Sequence, residues 1–244
     1  TALIGNLLSN SRIAVASRVA EARRIPLLNF SFYEGSISGR YFFNFAALPN
    51  QQIERMIPYF AEHFGPKMFF AGSNYEWPLG SFHAAKRSLA ALGGEVVGEE
   101  YLPLGSDDTG ELLDRVARSG ADVFVPYFAG KDQVRLLTRF ADLGLKSRMA
   151  VVSGHFDENL ARHLDPEVRA GIHSVNTYFM PVDTRENREV LARLAAEPGV
   201  TGLWPRGNAT MTNFSEGVCL CVRAFAAALE RAGSDEREAL VDAL

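Results

Sequence analysis

The sequence predicts an α/β protein whose parallel β-sheets are flanked by helices. Two observations predict it. Short apolar runs alternate with amphipathic helical stretches along the 244 residues. Runs such as Val123-Phe124-Val125 and Ala150-Val151-Val152 are continuously apolar, as in strands buried on both faces.

Ala2-Leu3-Ile4 reads as a strand, and residues 10–24 as a helix with Ile13, Val15, Val19 and Ala20 on its apolar side. Residues 26–30 and 41–45 read as strands. Residues 49–64 read as a helix kinked at Pro58, which removes a backbone donor. A strand over 67–71 leads to a helix over 78–92 that Gly93-Gly94 should end, since both tolerate positive φ. A strand follows over 95–102. Asp108 and Glu111 form a capping pair for a helix through Arg118. Residues 122–127 are the next strand, 131–143 a helix stopped at Gly144, and 148–153 a strand. A short helix over 156–163 and a strand over 172–179 follow. Asp183 and Glu186 suggest a second capping pair, for a helix to about Ala196. A long helix over 210–232 and the start of another over 236–244 complete the pattern. No internal repeat or linker is visible, so any division into lobes must use crossovers inside the fold.

Composition excludes several functions. The formal net charge is −4 and no Lys/Arg run appears, so the electrostatic footprint of a nucleic-acid binder is missing. No apolar run reaches the roughly 18 residues of a membrane span. Cys219 and Cys221 stand two apart on a helix, so they point to different sides and read as core fillers rather than a disulfide. The first five residues lack a basic segment followed by a signal-type apolar stretch, and they read as the end of a buried strand with sequence before it. None of the five histidines has the i, i+4 partner of a helical zinc site, and His63 and His83 read as surface positions. No G-x-S-x-G elbow or G-x-G-x-x-G loop is present. Gly105 and Gly110 have P-loop spacing, but Glu111 stands where the lysine belongs. No catalytic residue, metal or cofactor is expected.

The chemistry sits in the loops after the strands. Parallel sheets bind ligands at their carboxyl ends. The first such loop holds Ser9, Asn10 and Ser11 at a helix start, where either Ser9 or Asn10 could cap the helix while free N–H groups point outward. The second holds Phe30, Ser31, Phe32 and Tyr33. The loop after Ala71 places Tyr75 and Trp77 just before Pro78, which suits the first helical position. Later loops offer Tyr127, Phe128 and Lys131, then Ser153, Gly154 and His155, then Asn176, Thr177 and Tyr178. Aromatic, hydroxyl and amide side chains recur at successive strand ends. That recurrence suits a pocket for a small polar ligand, although for Trp77 packing between helices remains the other reading.

At these loops the sequence resembles the type I periplasmic solute-binding proteins of the branched-chain amino acid class, and within it the amide- and urea-binding branch. The resemblance rests on Leu8-Ser9-Asn10-Ser11-Arg12, Tyr33-Glu34-Gly35, Pro49-Asn50-Gln51, the run from Gly72 to Pro78, the run from Tyr101 to Asp108, Tyr178-Phe179 and Asp183-Thr184, in order over most of the chain. It implies two Rossmann-like lobes joined by three crossovers: residues 1–46 in lobe 1, 47–178 in lobe 2, and 179–244 back in lobe 1. It also implies further strands before residue 1 and after residue 244. The hinges would be residues 46–49 and 180–182.

Carried over by position, Ser9 would donate to the ligand, with Asn10 beside it. Phe30 and Ser31 would line the wall of lobe 1, and Trp77, with Tyr75, would cover the ligand from lobe 2. Tyr127, Phe128 and Lys131 lie near another contact position. Gly154 and His155 occupy the loop where amino-acid binders carry an acid for the ammonium group, and Tyr178 closes the set. No acid stands at residues 153–155, and a buried unpaired ammonium is costly. An amide or urea-like ligand is therefore expected rather than an α-amino acid. The resemblance implies an ABC permease as partner and a periplasmic location. The same fold serving as a cytoplasmic sensor for a regulatory partner protein is the alternative. A homodimer through lobe 1 stays open.

Overall fold

A computed structural model describes residues 1–196 and 210–244. The described strands form two parallel sheets. The smaller has the order β1 (Leu3–Ile4), β2 (Leu27–Asn29), β3 (Phe42–Asn44). The larger is built from β4 (Lys67–Ser73), β5 (Glu95–Leu102), β6 (Val123–Tyr127), β7 (Ala150–Ser153) and β8 (Ile172–Ser174), in the order β5-β4-β6-β7-β8. The chain leaves β4 to one side for β5 and returns on its other side for β6. That reversal opens a crevice between the carboxyl ends of β4 and β6.

Helix α1 (Ser9–Val15) follows β1 and widens into a π-helical segment over Ala16–Glu21. The larger sheet carries α2 (Ile53–Phe64) and α3 (Glu76–Ala91) on one face. On the other lie α4 (Gly110–Arg118) and α5 (Lys131–Asp142). The period of two along β4 explains the two cores. Met68 and Phe70 pack with Ile57, Phe60, Phe82 and Leu89, whereas Phe69 and Ala71 pack with Leu113, Val116, Leu136 and Phe140. The smaller sheet has a thinner core of Ala16, Ala20, Leu27, Tyr41 and Val241. Beyond β7 come two one-turn helices, α6 (Glu158–Ala161) and α7 (Pro166–Arg169). Helix α8 (Arg185–Ala196) buries no residue. Helix α9 (Asn213–Ala232) returns to pack on β2 and contacts α10 (Arg237–Ala243).

Several sequence expectations need correction. Helix α2 starts at Ile53; residues 49–52 form a turn closed by Ile53 N–H to Pro49 O, and the helix runs on through Pro58. The strand expected over 172–179 ends at Ser174, and the helix expected over 156–163 is a single turn. Neither expected capping pair forms. Thr109 stands at the N-cap of α4 without a side-chain bond, and Glu111 reaches Arg115 instead. Before α8 it is the Thr184 hydroxyl that accepts from Asn187 N–H, while Asp183 pairs with Arg188. Carboxylate spacing alone does not say which residue ends up at the cap or bonds to it. Cys221 is buried, but Cys219 is exposed, so only one is a core filler. His63 and His83 are exposed as expected. No helix among the described residues is long and apolar enough to cross a membrane.

Candidate functional site

Between the carboxyl ends of the two sheets lies a cavity of about 350 Å³. The loop after β1 and the start of α1 contribute Leu7, Leu8 and Ser9, and the loop after β2 contributes Ser31 and Phe32. From the larger sheet come Tyr75 and Trp77 after β4, Ala129 and Gly130 after β6, and His155, Asp157, Asn159 and Leu160 after β7. Thr210, Thr212, Phe214 and Ser215, before and at the start of α9, close the far side. Strand-end loops from both sheets thus converge on one space, as the switch-point rule anticipates.

One wall is aromatic. Trp77 stacks on Tyr127 behind it, with ring centroids 4.8 Å apart and planes at 19°. Phe32 lies nearly parallel on its other side at 6.4 Å. His155 meets the indole edge-on at 5.7 Å and lies tilted against Phe214 at 5.0 Å. Such offset and edge-on pairs suit the ring quadrupoles.

Beneath the cavity floor lies a buried ion pair. Arg12 Nη2 donates to Glu34 at 3.1 Å, with both side chains shielded from solvent. The same guanidinium donates to Ser9 Oγ at 3.0 Å and Ser31 Oγ at 2.7 Å. Ser9 Oγ in turn donates to Glu34 at 2.9 Å. Ser31 Oγ lies 3.0 Å from the carbonyl of Asn6 and 3.1 Å from that of Leu7. Burial pulls the Arg12 pKa below its ordinary value while Glu34 pushes back. Each serine thus has its proton committed and one lone pair taken. What remains to each is one acceptor position. The expected donor role of Ser9 is corrected accordingly.

Donors come from elsewhere. The first intrahelical bond of α1 is Arg12 N–H to Leu8 O, so the amides of Ser9, Asn10 and Ser11 precede it. Burial and then Glu34 push the Tyr75 phenol pKa up, which keeps it a proton donor. Asp157 Oδ1 caps α6 by accepting from Leu160 N–H at 3.0 Å, leaving Oδ2 for another donor.

The structure brings Ser9, Ser31, Tyr75, Trp77 and His155 of the expected set to the cavity. The others lie outside its lining. Asn10 is exposed, caps nothing in its own helix, and reaches Glu76 N–H. Phe30 packs edge-on against Phe214 at 6.3 Å. Tyr127 stands behind Trp77. Gly154 is pressed against it, where an added Cβ would lie 2.3 Å from the Tyr127 hydroxyl. Phe128 points to the opposite core with α4 and α5. Lys131 is exposed at the start of α5. Tyr178 turns to α8 and donates to Asn187 at 2.7 Å. The missed residues include Asp157, two positions past the expected loop. Its presence overturns the argument that no acid is available for an ammonium group. The Asp-x-x-Leu cap of α6 was a local signal for it. No comparable signal marks Phe214. Among the described residues no cluster of His, Cys, Asp and Glu could hold a metal ion.

A family model described as periplasmic binding protein matches residues 1–244. The chain belongs to that family. Its members are solute-binding proteins, not enzymes. Similar solved structures agree on the fold of this binding protein. An ABC transporter substrate-binding protein from Sphaerobacter thermophilus is 20% identical, with 99% of this chain and 66% of that chain covered and a TM-score of 0.82. A solute-binding protein of an ABC transporter from R. palustris, solved with 4-hydroxybenzoate, is 24% identical, with 99% and 65% covered and a TM-score of 0.80. A leucine-binding protein from Thermotoga maritima is 15% identical, with 99% and 67% covered and a TM-score of 0.83. This binding protein thus spans about two thirds of the length of these relatives.

The electrostatics of the cavity predict a pH response. Burial lowers the His155 pKa below the ordinary 6.5, outweighing the opposite pull of Asp157. The folded protein therefore holds a neutral imidazole that the unfolded chain protonates near pH 6.5. Stability from this group is complete above about pH 6.5 and is lost as pH falls toward the folded pKa. His173, also lowered by burial, adds to the same trend. The melting temperature should fall between about pH 7 and pH 5. His155→Phe, which fits the aromatic cluster, should flatten part of that slope. Identical slopes in both proteins would show that His155 contributes nothing to it.

Proposed function

We propose that this binding protein is the ligand-binding part of a periplasmic solute receptor serving an ABC importer, and that it closes over an amide or urea-like solute. In this reading residues 1–46 and 179–244 form lobe 1 and residues 47–178 form lobe 2. The ligand bridges the two and shifts the population toward the closed form, for which the permease is the partner.

The observation that carries the ligand class is the hydrogen-bonding polarity of the cavity. Ser9, Ser31 and Asp157 offer acceptor positions. The Tyr75 hydroxyl and the first-turn amides of α1 offer donors. A primary amide is complementary to that division: its NH₂ donates twice and its carbonyl accepts. The aromatic wall suits a flat ligand or a substituent on it. The described lining contains no Lys or Arg, since Arg12 is consumed beneath the floor by Glu34. A carboxylate would therefore find only the Tyr75 hydroxyl and the helix amides as donors, with no cation to pair with. Asp157 keeps an amine as the competitor, which makes leucine the necessary control.

Isothermal titration calorimetry with acetamide, urea, benzamide, benzoate and leucine tests this reading. At least one of the first three should give saturable heat, and at a hundred times its dissociation constant it should stabilise the fold by about 2.7 kcal/mol. Saturable binding of leucine or benzoate with none of the amides would overturn it.

A further inference from the structure

The cavity lining leaves two residues unexplained at the lip of the cleft, Asn10 and Gly80. Helix α3 begins at Glu76, and its N-cap residue Tyr75 makes no side-chain cap. Tyr75 has no short oxygen for that purpose, and it lines the cavity instead. The amide of Glu76 is satisfied from the other sheet's side of the cleft: Asn10 Oδ1, on α1, accepts from it at 3.2 Å. A capping bond of the kind helices usually make within one chain segment is here made between segments 66 residues apart.

One turn further along α3 stands Gly80. A Cβ built there would lie 2.7 Å from Cβ and 3.1 Å from Cγ of Glu34. Glu34 is not free to retreat, because Arg12 and Ser9 hold its carboxylate at 3.1 and 2.9 Å. Helix α3 can approach this close only because position 80 carries no side chain. Neither Asn10 nor Gly80 lines the cavity.

We infer that the Asn10 side chain and Gly80 form a closure latch, a seam between α1 and α3 that sets ligand affinity through the open–closed balance from positions outside the cavity lining. The inference rests on the lobe-closure reading above. A residue that stabilises only the closed form raises apparent affinity by the factor with which it raises the closed population. Asn10 supplies the attractive half of the seam, and the missing side chain at position 80 supplies its fit.

The test uses the full chain with Cys219→Ser, spin labels at Arg18→Cys and His83→Cys, and distance measurement by pulsed electron resonance with and without saturating benzamide. Arg18 and His83 are exposed. The parent protein should show a short-distance population. Asn10→Ala and Gly80→Ala should each move it to longer distances and weaken benzamide binding about five- to tenfold. Gly80→Ala favours the helix intrinsically, so its unfolding midpoint should stay level or rise while affinity falls. A damaged fold would do the opposite. Asn10→Asp, which keeps an acceptor at a helix N-terminus, should restore the short distance. Distance distributions that superimpose on the parent's in both alanine variants would overturn the latch, as would a parent that shows only the long distance. If benzamide changes nothing but the variants lengthen the ligand-free distance, the latch stands and the amide reading fails.

Discussion

Replacing Arg12 with methionine is expected to destabilise the fold by about 3–5 kcal/mol, the usual cost of stripping one partner from a buried ion pair. The magnitude follows from what is left behind. Glu34 would keep its charge position below the cavity with only the hydroxyls of Ser9 and Ser36 as donors. Asn29 and Ser31 would lose the guanidinium that now lies 3.5 and 2.7 Å away. The face of Tyr33, 5.5 Å from the guanidinium carbon, would lose a cation as well. The double variant Arg12→Met, Glu34→Gln should recover much of the loss, because it removes both desolvation costs together. Urea denaturation with an unchanged m-value checks this. A loss below about 1 kcal/mol in the single variant would mean that solvent reaches the pair. The same substitution bears on the cavity. Without Arg12, Ser9 and Ser31 regain an acceptor position each, so amide affinity should drop less than stability does.

The reading of strand ends from sequence succeeded where continuous apolar runs located the strands. Val123-Phe124-Val125 marks β6 without ambiguity, and the polar or aromatic residues after each run then had to lie at one end of a sheet. That logic reached Ser9, Ser31, Tyr75, Trp77 and His155. It could not say which way a loop side chain turns once the strand has ended. Phe128 continues the alternation of β6 into the far core, so the cavity receives its smaller neighbours Ala129 and Gly130. Phe30 similarly turns toward Phe214 while Ser31 and Phe32 turn inward. Two other features depend on contacts distant in sequence. The Arg12–Glu34 pair spans 22 residues, and Phe214 arrives from the start of a helix that packs back on β2. A hydrophobic period fixes the face of an element, but it carries no information about which distant element meets that face. The π-helical widening over Ala16–Glu21 is not expected from sequence either, because one α-helical period is assumed throughout residues 10–24.

Trp77→Ala should cost about 3–5 kcal/mol of stability and also remove the aromatic wall of the cavity. The indole is buried to 6% exposure between Phe32 and Tyr127, and His155 abuts its edge. Alanine leaves a void that opens into the existing cavity rather than a closed hole. Water can enter it, which softens the cavity term but also wets the back of the ligand site. The Tyr127 hydroxyl, buried with no hydrogen-bond partner among the described residues, would then gain water as a partner. For these reasons stability should fall at the lower end of that range while benzamide affinity falls at least about tenfold, the factor that about 1.4 kcal/mol of lost contact produces. Trp77→Phe separates the two effects. It preserves a ring between Phe32 and Tyr127, so most of the stability should return, whereas the reach of the indole into the cavity is lost and affinity should recover only in part. Denaturation midpoints and calorimetry on the three proteins decide it. A Trp77→Ala protein that melts with the parent and binds benzamide equally well would show that the stack neither supports the fold nor forms the ligand wall.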